Sequence, residues 1–375
     1  MKIVCDNKIP FLKGVLEPYA EVVYLPGKET TPDIVKDADA LITRTRTICN
    51  EALLKGSKVK VIATATIGFD HIDTAWCDKN GIVWKNAPGC NSWSVKQYIS
   101  SVLCTLAKRF AFRFEDMTLG VVGVGNVGSK VAEAARILGM KVLLNDPPRA
   151  RREGPEGFVS LDEICAKADM ITLHTPLQKD GPDATWHLFD KERISRLRPD
   201  QILINSSRGP VVDNEALKAA LLSGALKAGV LDTWEKEPQL DRVLLGALAI
   251  ATPHIAGYSA DGKANGTAAS VRTVSGYLGL PLTDWSPSEI PAPRQSLDFT
   301  IDAAGKDLQN ILIEAILHTY DVMEDDTSLR SNPDDFERIR GDYPVRREPT
   351  AFTISLRKPT PEAISRLAAL GFRLA

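Results

Sequence analysis

The stretch Leu119-Gly120-Val121-Val122-Gly123-Val124-Gly125-Asn126-Val127-Gly128 places a G-x-G-x-x-G directly after a short apolar run. The run predicts a buried strand, and the residues from Asn126 to about 138 predict a helix. Each glycine has its own task. Gly123 permits a tight turn, Gly125 lets the backbone approach a pyrophosphate, and Gly128 lets the helix pack closely on the strand. The helix N-terminus adds free N–H groups and a positive dipole end. The next apolar run, 141–145, ends at Asp146. A carboxylate at that strand end bonds ribose hydroxyls and repels a 2′-phosphate. The expected cofactor is therefore NAD, with Gly123, Gly125, Asn126, Val127, Gly128 and Asp146 in contact with it. Arg149, Arg151 and Arg152 read as a solvated basic turn rather than a 2′-phosphate site.

Working outward, apolar runs and amphipathic stretches alternate over most of the chain. Strands are expected at 2–5, 22–25, 40–43, 59–63 and 82–84. A long helix is expected at 92–110, followed by strands at 119–123, 141–145, 170–173, 201–204, 228–231 and 248–251. Such alternation implies parallel sheets with crossover helices, and parallel strands buried on both faces read as continuous apolar runs. The predicted class is α/β, with two doubly wound parallel-sheet lobes: a flavodoxin-like substrate lobe (1–98 with 258–285) and a Rossmann NAD lobe (99–257). A cleft between two such lobes is a natural ligand site. Four prolines between Pro281 and Pro293 read as a linker. Beyond them a small α+β domain, 286–375, is expected. Its elements are a strand at 296–301, a helix at 308–322, an acidic loop, a strand at 351–356 and a helix at 361–370.

The 375 residues are 44% apolar and 25% charged, with a formal net charge of −2. That balance gives no general pull toward nucleic acid or an anionic membrane. No apolar run approaches a membrane span, and no signal-peptide pattern opens the chain. The six cysteines are dispersed without a C-x-x-C pair. They read as reduced residues of a cytoplasmic protein, with no metal site.

Three positions carry the expected chemistry: Arg208 in Ser206-Ser207-Arg208-Gly209, Glu237 in Glu237-Pro238, and His254 in Thr252-Pro253-His254-Ile255-Ala256-Gly257. Each follows a predicted strand, on the rim that also bears the glycine loop, where open α/β sheets bind ligands. Removing a hydride from a hydroxy acid requires a base for the hydroxyl proton, and a histidine suits that role. It also requires a planar clamp on the carboxylate, which arginine provides. A carboxylate partner then steadies the imidazolium. His254, Arg208 and Glu237 supply these in turn. Arg44-Thr45-Arg46, at another strand end, can clamp a phosphate.

These motifs, in this order over residues 1 to about 285, resemble the D-2-hydroxy acid dehydrogenases. The resemblance implies Arg208 as carboxylate binder, Glu237 as partner and His254 as acid/base. Further stretches are similar to a branch that oxidises a four-carbon substrate, 4-phospho-D-erythronate, to its 2-oxo acid with NAD in pyridoxal phosphate biosynthesis. They are Thr64 to Asp73, Ala87 to Asn91, Asp146 to Ala150 and His254 to Tyr258, together with the extra C-terminal segment. This likeness implies that Thr45, Thr66 and Tyr258 meet a small phosphorylated 2-hydroxy acid, whose phosphate Arg44 and Arg46 at their strand end can clamp. It implies that Thr175, Ser206, Ser207, Arg208, Asp232 and Gly257 join the glycine loop on NAD. It also implies a homodimer built through the C-terminal domain. Gln97 stands where relatives usually carry Glu. Alternatives are oxidation of D-3-phosphoglycerate, reduction of glyoxylate or hydroxypyruvate, and an NAD-sensing corepressor. His71 and His174 read as structural or as cofactor packing, His187 and His318 as ordinary residues.

Overall fold

The computed structural model describes residues 1–375. Two compact units emerge: Met1–Asn91 with Ser259–Pro291, and Ser92–Tyr258 with Ala292–Ala375. The first holds β1 (Lys2–Asp6), β2 (Glu21–Leu25), β3 (Ala40–Thr43), β4 (Val61–Thr64) and β5 (Val83–Lys85). They form one sheet in the order β2-β1-β3-β4-β5, with every pairing parallel. This is the flavodoxin-like order anticipated for the first lobe. β3 and β4 are buried along their whole length, as their uninterrupted apolar runs require.

The second unit opens with the anticipated long helix, α1 (Ser92–Phe110). Its main sheet contains β6 (Thr118–Val122), β7 (Lys141–Asn145), β8 (Met170–Leu173), β9 (Ile202–Asn205), β10 (Ala228–Leu231) and β11 (Ile250–Ala251). The order is β11-β10-β9-β8-β6-β7, all parallel. Strand order therefore reverses at β6, the strand that leads into the glycine loop, and such a switch point is where open α/β sheets take ligands. Helix α2 (Asn126–Leu138) follows that loop and buries Val131, Ala134, Ala135 and Leu138.

The C-terminal segment has the expected α+β make-up. It has a sheet of its own, β12 (Asp298–Asp302), β13 (Thr353–Arg357) and β14 (Arg373–Leu374), again parallel. Its apolar residues do not form a separate core. Ile311, Leu312 and Ile316, with Phe352, Ile354 and Leu367, pack in one cluster with Val102 and Leu106 of α1 and Val121 and Val131 beside the glycine loop. A segment of about 80 residues buries too little surface to hold a large core alone, so it shares one. Gln97 belongs to this junction: its amide donates to Thr319 Oγ1 and to the Arg347 carbonyl.

The expected acidic loop is helical. After α3 (Leu308–Thr319) come α4 (Val322–Ser331) and α5 (Phe336–Gly341). The Asp321 carboxylate caps α4 by accepting from Met323 N. Asp326 and Arg330 pair one turn apart at 2.8 Å. Val322, Leu329 and Phe336 are fully buried.

Candidate active site

The glycine loop has the geometry its sequence called for. Gly123 has φ +84°, and a Cβ on Gly128 would sit 1.9 Å from the Gly123 carbonyl oxygen. At Gly125 a Cβ would meet open space, so the backbone there is free for close approach. The Asp146 carboxylate accepts from Val124 N at 2.8 Å and from Arg149 N at 2.9 Å, which ties β7 to the loop. Arg149 and Arg152 are each paired to Glu153 at 2.6 Å, and Arg151 is paired to Asp183. These guanidiniums are engaged with acids, in keeping with the solvated basic turn. Replacing Gly128 with Ala is expected to weaken NAD binding at least tenfold, about 1.4 kcal/mol, because backbone must move. A fluorescence titration giving the wild-type Kd would refute the loop's assignment.

Three further loops rise from the carboxyl ends of β9, β10 and β11. Asn205, the last residue of β9, wraps the first: its Oδ1 accepts from Ser207 N and Ser207 Oγ, and its amide donates to the Arg208 carbonyl. That sets Arg208 in extended backbone, with its Nη1 on the Ser207 carbonyl at 2.9 Å. The Arg208 loop abuts the second loop tightly. A Cβ on Gly209 would lie 2.0 Å from the Trp234 carbonyl oxygen.

The second and third loops meet at the core of the site. His254 Nδ1 lies 2.8 Å from Glu237 Oε2, and Glu237 Oε1 accepts from Trp234 N at 2.8 Å. Burial pushes the Glu237 carboxyl up. The hydrogen bond and charge of His254, the Trp234 N–H and the charge of Arg340 outweigh that and hold it below the usual carboxylate range. The carboxylate is therefore ionised and only accepts, so Nδ1 carries a proton and Nε2 is left to accept one. His254 has φ +57°, a left-handed conformation unusual for a side-chain-bearing residue. Asp232, itself buried, steadies the loop. Its Oδ1 accepts from Thr252 Oγ1 and Ile255 N, and its Oδ2 from Ala256 N. Gly257 and Tyr258, both half-buried, end this loop.

Five hydroxyl oxygens are buried with no hydrogen-bond partner in the chain, and three of them, Thr175 Oγ1, Ser206 Oγ and Thr233 Oγ1, follow the carboxyl ends of β8, β9 and β10. Buried hydroxyls without partners are costly, so these groups fit a ligand that completes them. Thr175 and Ser206 were anticipated as NAD contacts. Thr233 was not, and nothing in its sequence context marks it. The residues present thus fit NAD: an open glycine backbone, a helix N-terminus, Asp146 and orphaned hydroxyls along the same strand ends.

Arg44, Thr45, Arg46 and Thr66 lie in the other unit. The 44–46 and 66 loops follow β3 and β4, which are neighbours in register, and Thr64 Oγ1 links them through the Arg44 carbonyl and Thr66 Oγ1. Thr45 and Arg46 are exposed. The remaining histidines have other tasks. His174 is held down to about 3 by burial, and burial also lowers His71. His187 bonds Glu235, and His318 stacks on Phe299. Sequence reasoning missed Arg340 and Arg346, whose side chains reach the His254 loop from the C-terminal segment. Their only sequence signal is a cluster of arginines at 338–347 inside an acidic stretch.

No helix is long and apolar enough to cross a membrane. Residues 94–256 match the family described as the D-isomer specific 2-hydroxyacid dehydrogenase, NAD binding domain. Residues 294–371 match a family described as a domain of unknown function. Among relatives, the erythronate-4-phosphate dehydrogenase of Bacteroides fragilis is 51% identical over 96% of this chain and 100% of its own. That of Edwardsiella ictaluri is 43% identical over 99% of each chain. Among solved structures, the D-lactate dehydrogenase of Aquifex aeolicus, complexed with NAD and lactic acid, is 27% identical. The match has a TM-score of 0.63 and covers 74% of this chain and 96% of that one. The fold, the NAD loop and these relatives agree: the chain is an NAD-dependent dehydrogenase that belongs to the D-isomer specific 2-hydroxyacid dehydrogenases, on the branch of the erythronate-4-phosphate dehydrogenases.

Proposed function

We propose that the chain oxidises 4-phospho-D-erythronate at C2 to (R)-3-hydroxy-2-oxo-4-phosphooxybutanoate, a step toward pyridoxal phosphate. The observation that carries the chemistry is the His254–Glu237 pair, with Nδ1 bound to the carboxylate at 2.8 Å and Nε2 left to accept a proton. When bound, NAD supplies the hydride acceptor. The glycine loop, Asp146, Thr175, Ser206, Ser207, Asp232 and Gly257 would hold it. Arg208 grips the substrate carboxylate through its planar fork, which fixes C2 and its hydroxyl. His254 Nε2 takes the hydroxyl proton as the C2 hydrogen departs with its electron pair, and the C2–O bond becomes a carbonyl. Glu237 stabilises the resulting imidazolium and keeps the ring oriented.

The direct test is turnover by the purified chain with NAD and 4-phosphoerythronate, read as reduced cofactor. No turnover there, with good turnover on 3-phosphoglycerate, would sink the substrate assignment; no turnover on any hydroxy acid would favour a sensor. Glu237→Gln is expected to move the ascending limb of the oxidation pH–rate profile to lower pH. The neutral amide no longer stabilises the imidazolium, so the ring is free to accept a proton at lower pH. An unmoved limb would mean that the pair does not act together.

The exposed Arg46, with Arg44, Thr45, Thr66 and Tyr258, is assigned to the substrate and its phosphate. Arg46→Gln should raise KM about tenfold for the phosphorylated acid and leave KM for unphosphorylated erythronate unchanged. Equal effects on both would remove the residue from the phosphate site. Two further assignments go with this reading. The C-terminal sheet, with an open edge at β12, supports a homodimer, which sedimentation of the intact chain would check. Six free cysteines support a cytoplasmic location, which cell fractionation would check.

A further inference from the structure

The backbone around His254 is held by groups from two distant parts of the chain. Asp232 accepts both N–H groups, Ile255 and Ala256. The three carbonyls of residues 254–256 are taken by two arginines of the C-terminal segment. Arg340 Nε donates to the His254 carbonyl at 3.3 Å. Arg346 Nη2 donates to the Ile255 carbonyl at 3.2 Å and the Ala256 carbonyl at 2.6 Å. Arg346 is buried in a polar nest, over the Tyr320 ring at 4.4 Å. Beside it, Asp325 accepts from the Tyr320 and Tyr343 hydroxyls.

Arg340 does more than hold a carbonyl. Its Nη2 donates to the Tyr258 hydroxyl at 3.0 Å, and its guanidinium lies 5.5 Å from the Tyr258 ring centre. Glu337 lies 3.7 Å from its Nη1. One side chain thus bridges the residue that moves the proton and a tyrosine assigned to the substrate. A left-handed backbone at a non-glycine residue costs on the order of 1–3 kcal/mol and persists only where its surroundings impose it. Here Asp232 and the segment from α5 to Arg346 surround it together.

We propose that Arg340 is a positioning residue of the dehydrogenase reaction, fixing His254 through its carbonyl and Tyr258 through its hydroxyl. The segment matching a domain of unknown function thereby completes the active site and is not only a candidate dimerisation element. Arg346 anchors the same loop from behind, but its burial means that a variant there would risk the fold. Arg340 has a side chain about 18% exposed and is the residue to change.

The inference rests on the hydride-transfer reading of the His254–Glu237 pair and not on which acid is the substrate. The experiment uses the full chain with Arg340→Gln and Arg340→Lys, each assayed for kcat, KM, NAD affinity, pH–rate profile and unfolding temperature. Arg340→Gln should lower kcat roughly 10- to 100-fold, as small misplacements of a catalytic group do. NAD affinity and unfolding temperature should stay near wild type. It should also move the ascending limb to higher pH, since a positive charge acting on the His254–Glu237 pair is gone. That direction is opposite to the one expected of Glu237→Gln. Arg340→Lys keeps the charge, so its limb should stay in place while kcat falls, because an ammonium lacks the fork that reaches two acceptors. Wild-type kcat and an unmoved limb in Arg340→Gln would overturn the proposal, and so would a loss of kcat matched by a loss of NAD affinity and stability. If the wild type ignores 4-phosphoerythronate and turns over another 2-hydroxy acid, the substrate reading fails. The same three profiles, run on that acid, then decide this one.

Discussion

His254→Asn is expected to lower kcat for oxidation by about 10²- to 10⁴-fold, the usual contribution of a positioned acid–base group. Asparagine is chosen for the backbone. His254 sits at φ +57°, and Asn is among the few residues that tolerate that region. Its amide can also donate toward Glu237, in place of the Nδ1 that now lies 2.8 Å away. The loop keeps its anchors at Asp232, Arg340 and Arg346, which bind backbone and not the imidazole. NAD affinity and unfolding temperature should therefore stay near wild type, and the loss should fall on the proton transfer. A variant that retains more than a tenth of wild-type kcat would show that another group takes the proton. None of the other four histidines is placed to do so. His71 is buried, His174 is bonded to Thr172, His187 is engaged by Glu235, and His318 is stacked in the C-terminal segment.

How much of this was legible in the sequence depends on the range of the interactions. The two large sheets were readable because parallel strands covered on both faces must be apolar without interruption. The runs at 40–43 and 170–173 are of that kind and are fully buried. The glycine loop and Asp146 were readable because their spacing is local. The placement of Arg208, Glu237 and His254 was readable because each follows a strand, and strands of one parallel sheet end on one rim. The helices after Asp321 were not readable. Their fully buried residues, Val322, Leu329 and Phe336, recur only every seventh position, one per two turns, amid acids. So thin a stripe is below the usual amphipathic signal. Arg340 and Arg346 were invisible for a different reason. Their partners lie more than 80 residues away in the chain, and no local pattern encodes such a contact.

Arg208→Lys tests the other half of the chemistry, recognition of the carboxylate. Lysine keeps the charge, so long-range attraction of an anionic substrate survives. It loses the two parallel N–H donors that match a carboxylate's two oxygens, and with them the fixed plane that presents C2 and its hydroxyl to His254. Breaking one side of a charged, hydrogen-bonded pair in a site costs about 2–5 kcal/mol. Retention of the charge puts this change toward the lower end. The expected result is a fall of about 10²-fold in kcat/KM, since each 1.4 kcal/mol is a factor of ten. Both kcat and KM should suffer, because the same fork binds the acid and aims it. The fold should not, since the turn that carries Arg208 is fixed by Asn205 and by the close approach of Gly209 to Trp234. A variant with a raised KM and an unchanged kcat would mean that Arg208 only attracts the substrate. Near-normal values of both would remove it from the site, and the carboxylate would have to be held by main-chain N–H groups of the strand-end loops.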